Sequence, residues 1–463
     1  MAGWSESCEA QRPNILFIMA DDHARAAMSC YGSRTTTTPN LDRLAEQGMI
    51  FGHMTATNSL CAPSRAVLLT GKYSHENGFR RNGDRFDGAQ QTFPKLLQQA
   101  GYETAIIGKW HLATEPRGFD HYLVMPGQGH YFDCRLKAKG ETWQDGRHGG
   151  TVYEGYLTDV ITEHAIGWLR ERVSAKPFCL MVHHKAPHGP HDPAPRHKPL
   201  FEDETFPEPA TLMDNYEGRA PEEIADVIGS SRMAICHYPE YKQDVAKFAQ
   251  DREKATRYMY QTYMKGYLRL VAALDENIGR LMDFLDESGL SKNTLVVYTS
   301  DNGFFNGEHG FFNKMWMYEP SLQMPLLVRY PGVVRPGSTN NDLVSMLDLA
   351  PTLLDVAGAS VPSDMQGASM YPLLRGESVP WREAVYYHYY DQYDVPEQYG
   401  VRTKTHKLVH YPGKGRILHW ELFDLTADSN EMQNLAADPV YAKELAEMKE
   451  LLMTMRNKVG DES

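Results

Sequence analysis

The chain has 463 residues and a formal charge of −13, from 47 Lys and Arg against 60 Asp and Glu. Apolar residues make up 42% and charged residues 23%, ordinary globular usage that excludes wholesale disorder and leaves enough chain for about two to three domains. The acidic balance argues against nucleic acid as the main partner, because phosphate binding needs a clustered basic surface, but it leaves room for a local basic pocket holding a small anion.

Residues 14–20 (Asn-Ile-Leu-Phe-Ile-Met-Ala) read as a fully buried strand ending in Asp21 and Asp22. Helices are expected over 41–47 and from Pro63 through 69. A second strand over 102–108 leads into Lys109, Trp110 and His111. An amphipathic helix covers 158–172, and a third strand covers 177–184. Residues 196–239, rich in Pro and acids and weakly periodic, read as a long surface excursion near the site. A long helix covers 258–286. A fourth strand over 293–300 ends in Asp301, Asn302 and Gly303, and a fifth covers 324–330. Continuous apolar strands alternating with helices indicate an α/β fold whose mainly parallel sheet is covered on both faces. Beyond about residue 367, short strands at 385–390, 399–403, 407–411 and 421–424 precede a helix at 440–455. They predict a smaller antiparallel sheet with a closing helix, and hence domains of 1–366 and 367–463.

The six cysteines (Cys8, Cys30, Cys61, Cys134, Cys179, Cys236) contain no CxxC pair, which argues against a disulfide framework and a thiolate zinc site. No apolar run approaches the roughly 18–20 residues of a membrane span. The first ten residues carry neither a basic n-region nor an apolar h-region. The chain as given therefore reads as cytoplasmic, or as periplasmic or secreted if a leader has been removed.

Ligands of open α/β sheets sit beyond the carboxyl ends of the strands. Four such ends are unusually polar here: Asp21 with Asp22, Lys109 with His111, the run His183, His184, Lys185 to His188, and Asp301 with Asn302. Any one alone is as readily a solvated loop; four together are not. Asp21, Asp22, Asp301 and Asn302 offer hard oxygens that suit Ca²⁺ or Mg²⁺, and adjacent carboxylates at the end of a buried strand repel without a cation. The alternative for these four is a pair of helix N-caps. In the stretch 60–71, Pro63 suits a first helical turn and places Cys61 at the positive helix end, where a thiolate or an anion is favoured. Taken by itself, Cys61 is a candidate nucleophile beside an anion-binding Arg65, or else a buried structural cysteine.

The run Cys61-x-Pro63-Ser64-Arg65-x-x-x-Leu69-Thr70-Gly71 resembles the signature of the type I sulfatases, in which this cysteine is oxidised to formylglycine. The resemblance extends over nearly the whole chain, through 14–22, Gly108 to His111, Lys185 to His188, Asp301 to Gly303, Lys314 and 420–425. It implies an alkaline-phosphatase-like fold, with a large α/β domain and a small C-terminal sheet domain. It further implies that Asp21, Asp22, Asp301 and Asn302 hold a divalent metal, usually Ca²⁺, with residue 61 completing the shell. Arg65 then steadies the formylglycine hydrate, and Lys109 and Lys314 bind sulfate. His111 helps expel sulfate, and His188 donates a proton to the leaving oxygen. His183 and His184 are out of register for that role and read as strand or pocket-wall residues.

The implied partners are a sulfated saccharide and a formylglycine-generating or other sulfatase-maturing enzyme; nothing in the sequence fixes the oligomeric state. The favoured substrate is a 6-sulfated hexosamine or another glycosaminoglycan unit. Arg80, Arg81 and Asp84 in the loop 77–87, together with His191 and His388, are candidates for the sugar-binding rim, and one face of the strand around His388 is expected to stack on a pyranose. The rivals are an arylsulfatase or a phosphonate or phosphate ester hydrolase on the same scaffold, and a catalytically dead binding protein. The phosphonate relatives usually lack the Lys-x-His of Lys109 and His111.

Overall fold

The structure is a computed structural model that describes residues 12–143, 146–173, 175–223, 248, 251–413 and 418–462. Side chains alternate along the first strand, β1 (Asn14–Asp21). Ile15, Phe17 and Met19 enter one hydrophobic core, while Leu16, Ile18 and Ala20 enter another. Burial on both faces is what an unbroken apolar strand requires.

The main sheet continues with β2 (Met49–Thr55), β3 (Glu103–Lys109), β4 (His121–Met125), β5 (Phe132–Ala138), β6 (Thr151–Tyr156), β7 (Phe178–Pro187), β8 (Thr294–Ser300), β9 (Gln323–Met324), β10 (Leu326–Arg329) and β11 (Ser338–Ser345). Their order is β11-β2-β10-β8-β1-β7-β3-β4-β5-β6, with β9 paired to β2. The central strands β8, β1, β7, β3 and β4 run parallel, so their carboxyl ends share one edge. The expected fifth strand breaks at Pro325, which cannot donate to a ladder, into β9 and β10, and β10 runs antiparallel to both β8 and β2. The flanking strands β5, β6 and β11 escape a search for apolar runs because they lie toward the sheet's margins and carry exposed polar positions.

Helices Cys61–Thr70, Phe93–Gln99 and Leu349–Val356 cover one face of this sheet. Helices Pro39–Glu46, Leu157–Glu171 and Arg252–Glu287 cover the other. The last begins before the expected residue 258, because Asp251 caps it by accepting from the Lys254 N–H at 3.1 Å. None of the described helices is long and apolar enough to cross a membrane.

The described part of the expected surface excursion folds back onto the molecule: Phe206, Leu212 and Tyr216 are buried, and Tyr216 stacks on Phe311. Residues 224–239, like Cys8 and Cys236, lie outside the described residues.

The second sheet is antiparallel, in the order β12 (Ala384–Tyr389), β13 (Gln398–Thr403), β14 (His406–Pro412), β15 (Leu418–Asp424), and helix Ala442–Val459 closes it. Tyr386, Val401, Leu408 and Leu422 join the core that holds Phe17, while Tyr387, Val409, Tyr411 and Phe423 pack with Trp316 and Phe311. The smaller sheet is therefore buried on both faces, and hydrophobic packing crosses residue 367 without a break.

His184 illustrates a cost of this packing. It is fully buried in β7, and neither ring nitrogen makes a hydrogen bond. Burial drives its pKa down to about 3. Its folded pKa lies below the unfolded value, so the fold favours the neutral ring. Stability is complete at neutral pH and is lost as pH falls below about 6.5. Between about pH 8 and pH 5 this residue alone should remove about 2 kcal/mol. Urea midpoints at the two pH values should differ accordingly, and His184→Leu should shrink the difference.

Candidate active site

The parallel register brings the polar strand ends to one edge. Asp21 lies opposite Pro187, Ala20 opposite Ser300, and Gly108 opposite His183. Gly108 has φ 109°, and a Cβ there would lie 2.0 Å from the His183 carbonyl oxygen, so only glycine lets β3 pass this close before presenting Lys109. Asp22 and His111 take left-handed conformations, φ 68° and 63°, which non-glycine residues hold only where surroundings enforce them.

Three buried carboxylates, Asp21, Asp22 and Asp301, meet three buried cations, Arg65, Lys109 and Lys314. Lys109 Nζ contacts Asp21 and donates to Gln128 Oε1 at 2.7 Å, and Lys314 Nζ contacts Asp22. Arg65 donates to Asp301 Oδ2 at 2.8 and 3.1 Å and to the Lys109 carbonyl at 2.9 Å. Burial penalises the Asp21 carboxylate, but Lys109, His188 and Arg65 outweigh it and hold its pKa well below the usual range. Burial and then the Asp21 charge push Asp301 up. Two carboxylates competing for the same positive charge is the conflict that a divalent cation relieves.

Cys61 opens its helix beside these charges, 1% exposed, with Sγ 2.9 Å from Lys314 Nζ. The next amide, Ala62 N–H, donates to Asn82 Oδ1 at 3.1 Å. Burial pushes the Cys61 thiol well above its ordinary pKa despite Lys314, which corrects the expectation that the helix end favours a thiolate. The anion beside Arg65 is Asp301, which accepts from its Nε and Nη2.

Two partly exposed histidines stand beside the cluster. His188 Nε2 lies 3.7 Å from Asp22 Oδ2, and its Nδ1 is 2.6 Å from the Gly189 carbonyl oxygen. His111 Nε2 faces the Gln128 amide at 3.3 Å, which places the proton of the neutral ring on Nδ1. Burial, reinforced for His111 by Lys109, lowers both pKa values well below the ordinary histidine value. His183 is a buried residue of strand β7, with Nδ1 3.2 Å from the Lys109 carbonyl oxygen and 3.3 Å from Arg65 Nη1. Lys185 is buried beside them, and burial and then Lys109 lower its pKa to about 8.

The sugar-rim candidates fare differently. Asp84 Oδ2 accepts the Arg80 and Arg81 amides at 2.8 and 2.9 Å, so it shapes the loop. Arg80 lies over the Tyr390 ring, and Arg81 Nε donates to the Tyr390 carbonyl at 2.6 Å; both remain exposed beside the pocket loop. His191 packs edge-on against Tyr263 and Tyr267, behind the Asp22 backbone. His388 is 1% exposed, with Nδ1 2.5 Å from Asp461 Oδ2 and Nε2 3.3 Å from Glu397 Oε1. His388 and its strand are therefore core, not a stacking platform, because both faces of the second sheet are covered. Gln128, Asn82 and Tyr131 join the site without having been expected; they sit in loops whose sequence signals a turn at most.

The donor set fits a hard divalent ion. Ligand atoms of Asp21, Asp22, Cys61 and His188 lie within 4.8 Å of one another. Asp21 Oδ1 and Asn302 Oδ1 are buried and accept no hydrogen bond. Asp301 stands beside this group, with Oδ1 accepting the Asp22 N–H at 3.3 Å and Oδ2 on Arg65.

The sequence profile described as Sulfatase matches residues 13–359. The chain belongs to the sulfatase family. A second profile, the C-terminal region of N-sulphoglucosamine sulphohydrolase, matches residues 307–458 of this sulfatase. An N-acetylglucosamine-6-O-sulfatase of Bacteroides thetaiotaomicron is 44% identical over 98% of this chain and 88% of its own length. A solved structure of a protein in complex with its substrate D-glucosamine-2-N,6-O-disulfate superposes with a TM-score of 0.88, at 43% identity over 98% of this chain and 99% of that one. A phosphonate monoester hydrolase of Silicibacter pomeroyi shares the fold, with a TM-score of 0.77 at 21% identity over 97% of this chain and 96% of its own. The sulfatase is thus a sulfuric ester hydrolase with a mainly parallel central sheet and a smaller antiparallel one.

Proposed function

We propose that the chain hydrolyses the 6-O-sulfate of a glucosamine unit, acting on single sugars or chain ends of a sulfated glycosaminoglycan, with Cys61 matured to formylglycine and a Ca²⁺ ion held by Asp21, Asp22, Asp301 and Asn302. The observation that carries this reading is the cluster itself, where Cys61, Lys314, Asp22 and Asp21 converge; the likeness to the glucosamine 6-sulfatase supplies the sugar. Lys109 and His111 together favour a sulfate ester over a phosphonate.

The hydrated aldehyde supplies an oxygen nucleophile and, through its second hydroxyl, a route for releasing sulfate; a bound divalent ion supplies the acidity that ionises such an oxygen near neutral pH. The chain's own residues do the rest. Lys109 and Lys314 hold the sulfate oxygens in a preorganised field. Arg65 keeps Asp301 oriented. In its doubly protonated form, which the Asp21 charge favours against burial, His188 keeps Nδ1–H on the Gly189 carbonyl and gives its Nε2 proton to the leaving sugar oxygen, and His111 takes a proton at Nε2 during sulfate release; general acid help of this kind is worth on the order of 10²–10⁴ in rate.

Protein co-expressed with a maturing enzyme should be tried on glucosamine 6-sulfate, its N-acetyl and N-sulfo forms, galactosamine 6-sulfate, 2-O-sulfated uronate and a phosphonate monoester. We expect kcat/KM for the gluco-configured 6-sulfates to exceed the others by roughly 10²-fold or more. Faster turnover of the phosphonate, or none of any sulfate ester by matured protein, would overturn the proposal.

A further inference from the structure

His188 is gripped through its own backbone and through the Gly189 carbonyl. Its amide donates to the Lys185 carbonyl at 3.0 Å, and its own carbonyl accepts from the Tyr131 hydroxyl at 2.7 Å. The Gly189 carbonyl accepts twice, from His188 Nδ1 at 2.6 Å and from Lys185 Nζ at 3.0 Å. Lys185 Nζ also lies 5.2 Å from the centre of the Tyr131 ring, closing the bracket. Lys185 and Tyr131 are both buried, at 1% and 3% exposure. Among the described residues no carboxylate lies within ion-pair distance of Lys185. A buried ammonium whose direct partners are one carbonyl and a ring face, with the Asp21 and Asp22 charges acting on it only from beyond ion-pair distance, is expensive for stability alone, which points to a role in holding something else.

We infer that Lys185 and Tyr131 are positioning residues for His188: by pinning the Gly189 and His188 carbonyls they keep Nδ1–H turned inward and Nε2 facing Asp22 and the leaving oxygen. A carbonyl has two lone pairs. With Lys185 on one, the other is fixed in direction, and the imidazole tilt is fixed with it. This inference rests on the proposed role of His188 as proton donor and adds what sets its aim. A misplacement of about 1 Å at such a donor costs roughly 10²-fold.

The test exploits leaving-group basicity. A sugar alkoxide needs the proton; a nitrophenolate hardly does. Lys185→Met should lower kcat for glucosamine 6-sulfate by roughly 10²-fold with little change in KM, and its loss on 4-nitrophenyl sulfate should be at least tenfold smaller. Tyr131→Phe should show the same bias on a smaller scale. Adding Lys185→Met to His188→Ala should cost nothing further on the sugar ester, since the two act through one group. Equal losses on both esters, or additive losses in the double variant, would overturn the inference. Should Lys185→Met fail to fold by circular dichroism, the near-isosteric Tyr131→Phe, alone and combined with His188→Ala, decides. Should nitrophenyl sulfate not turn over, the double-variant comparison decides on the sugar ester alone. If His188→Ala itself shows no leaving-group bias, the fault lies with the donor assignment; if it does and Lys185→Met does not, the fault lies with the positioning.

Discussion

Cys61→Ala is expected to lower sulfate ester turnover by a factor on the order of 10⁵–10⁶ while leaving the fold nearly intact. Alanine continues the helix that Cys61 opens and is its best former, so the first turn and the Ala62–Asn82 contact should survive. Lys314 loses the sulfur but keeps Asp22. The chemistry has no such fallback. The unmodified thiol is already a poor nucleophile, since burial holds its pKa far above neutral pH. An alanine offers no oxygen at all. Intact mass of the parent protein supplies the paired observation: after maturation residue 61 should have exchanged sulfur for oxygen and lost two hydrogens. Substantial turnover by the alanine variant, or by parent protein whose mass shows an unmodified cysteine, would contradict the assignment of residue 61.

Lys109→Met should cost activity and stability together, in a way that depends on metal. Lys109 is fully buried against Asp21, so its removal leaves a buried carboxylate without its nearest cation. Breaking a buried pair from one side costs about 3–5 kcal/mol. Turnover should fall by roughly 10²–10³, because one preorganised donor to the sulfate is gone. The stability loss should be full in chelator-treated protein and largely restored by Ca²⁺, whose charge replaces the missing ammonium beside Asp21. Chemical denaturation of parent and variant, each with chelator and with Ca²⁺, separates the two contributions. A variant equally destabilised under both conditions would mean that no divalent ion shares the space of Asp21.

The sequence carried the chemistry of the site to a large degree. The run from Cys61 to Gly71, the paired Asp21 and Asp22, and Asp301 with Asn302 are local patterns, and a hard-oxygen donor set is legible wherever such residues end apolar strands. Buried strands were legible for the same reason, since β1 is one unbroken apolar run. Direction and pairing were not. β10 has the composition of a parallel strand yet runs antiparallel, because its neighbours are chosen by connections far away in the chain.

Histidine shows the division most clearly. The sequence determined that His111, His183, His184, His188, His191 and His388 exist near strand ends or in aromatic strands. Only the tertiary structure decided that His188 reaches Asp22 at 3.7 Å, that His183 lies 3.3 Å from Arg65, that His184 has no hydrogen-bond partner, and that His388 serves Asp461 in a sealed core. The side chain is the same in every case; what differs is which distant segment covers it. Burial and charge partners come from long-range packing, and those two quantities set whether an imidazole moves protons or merely fills space.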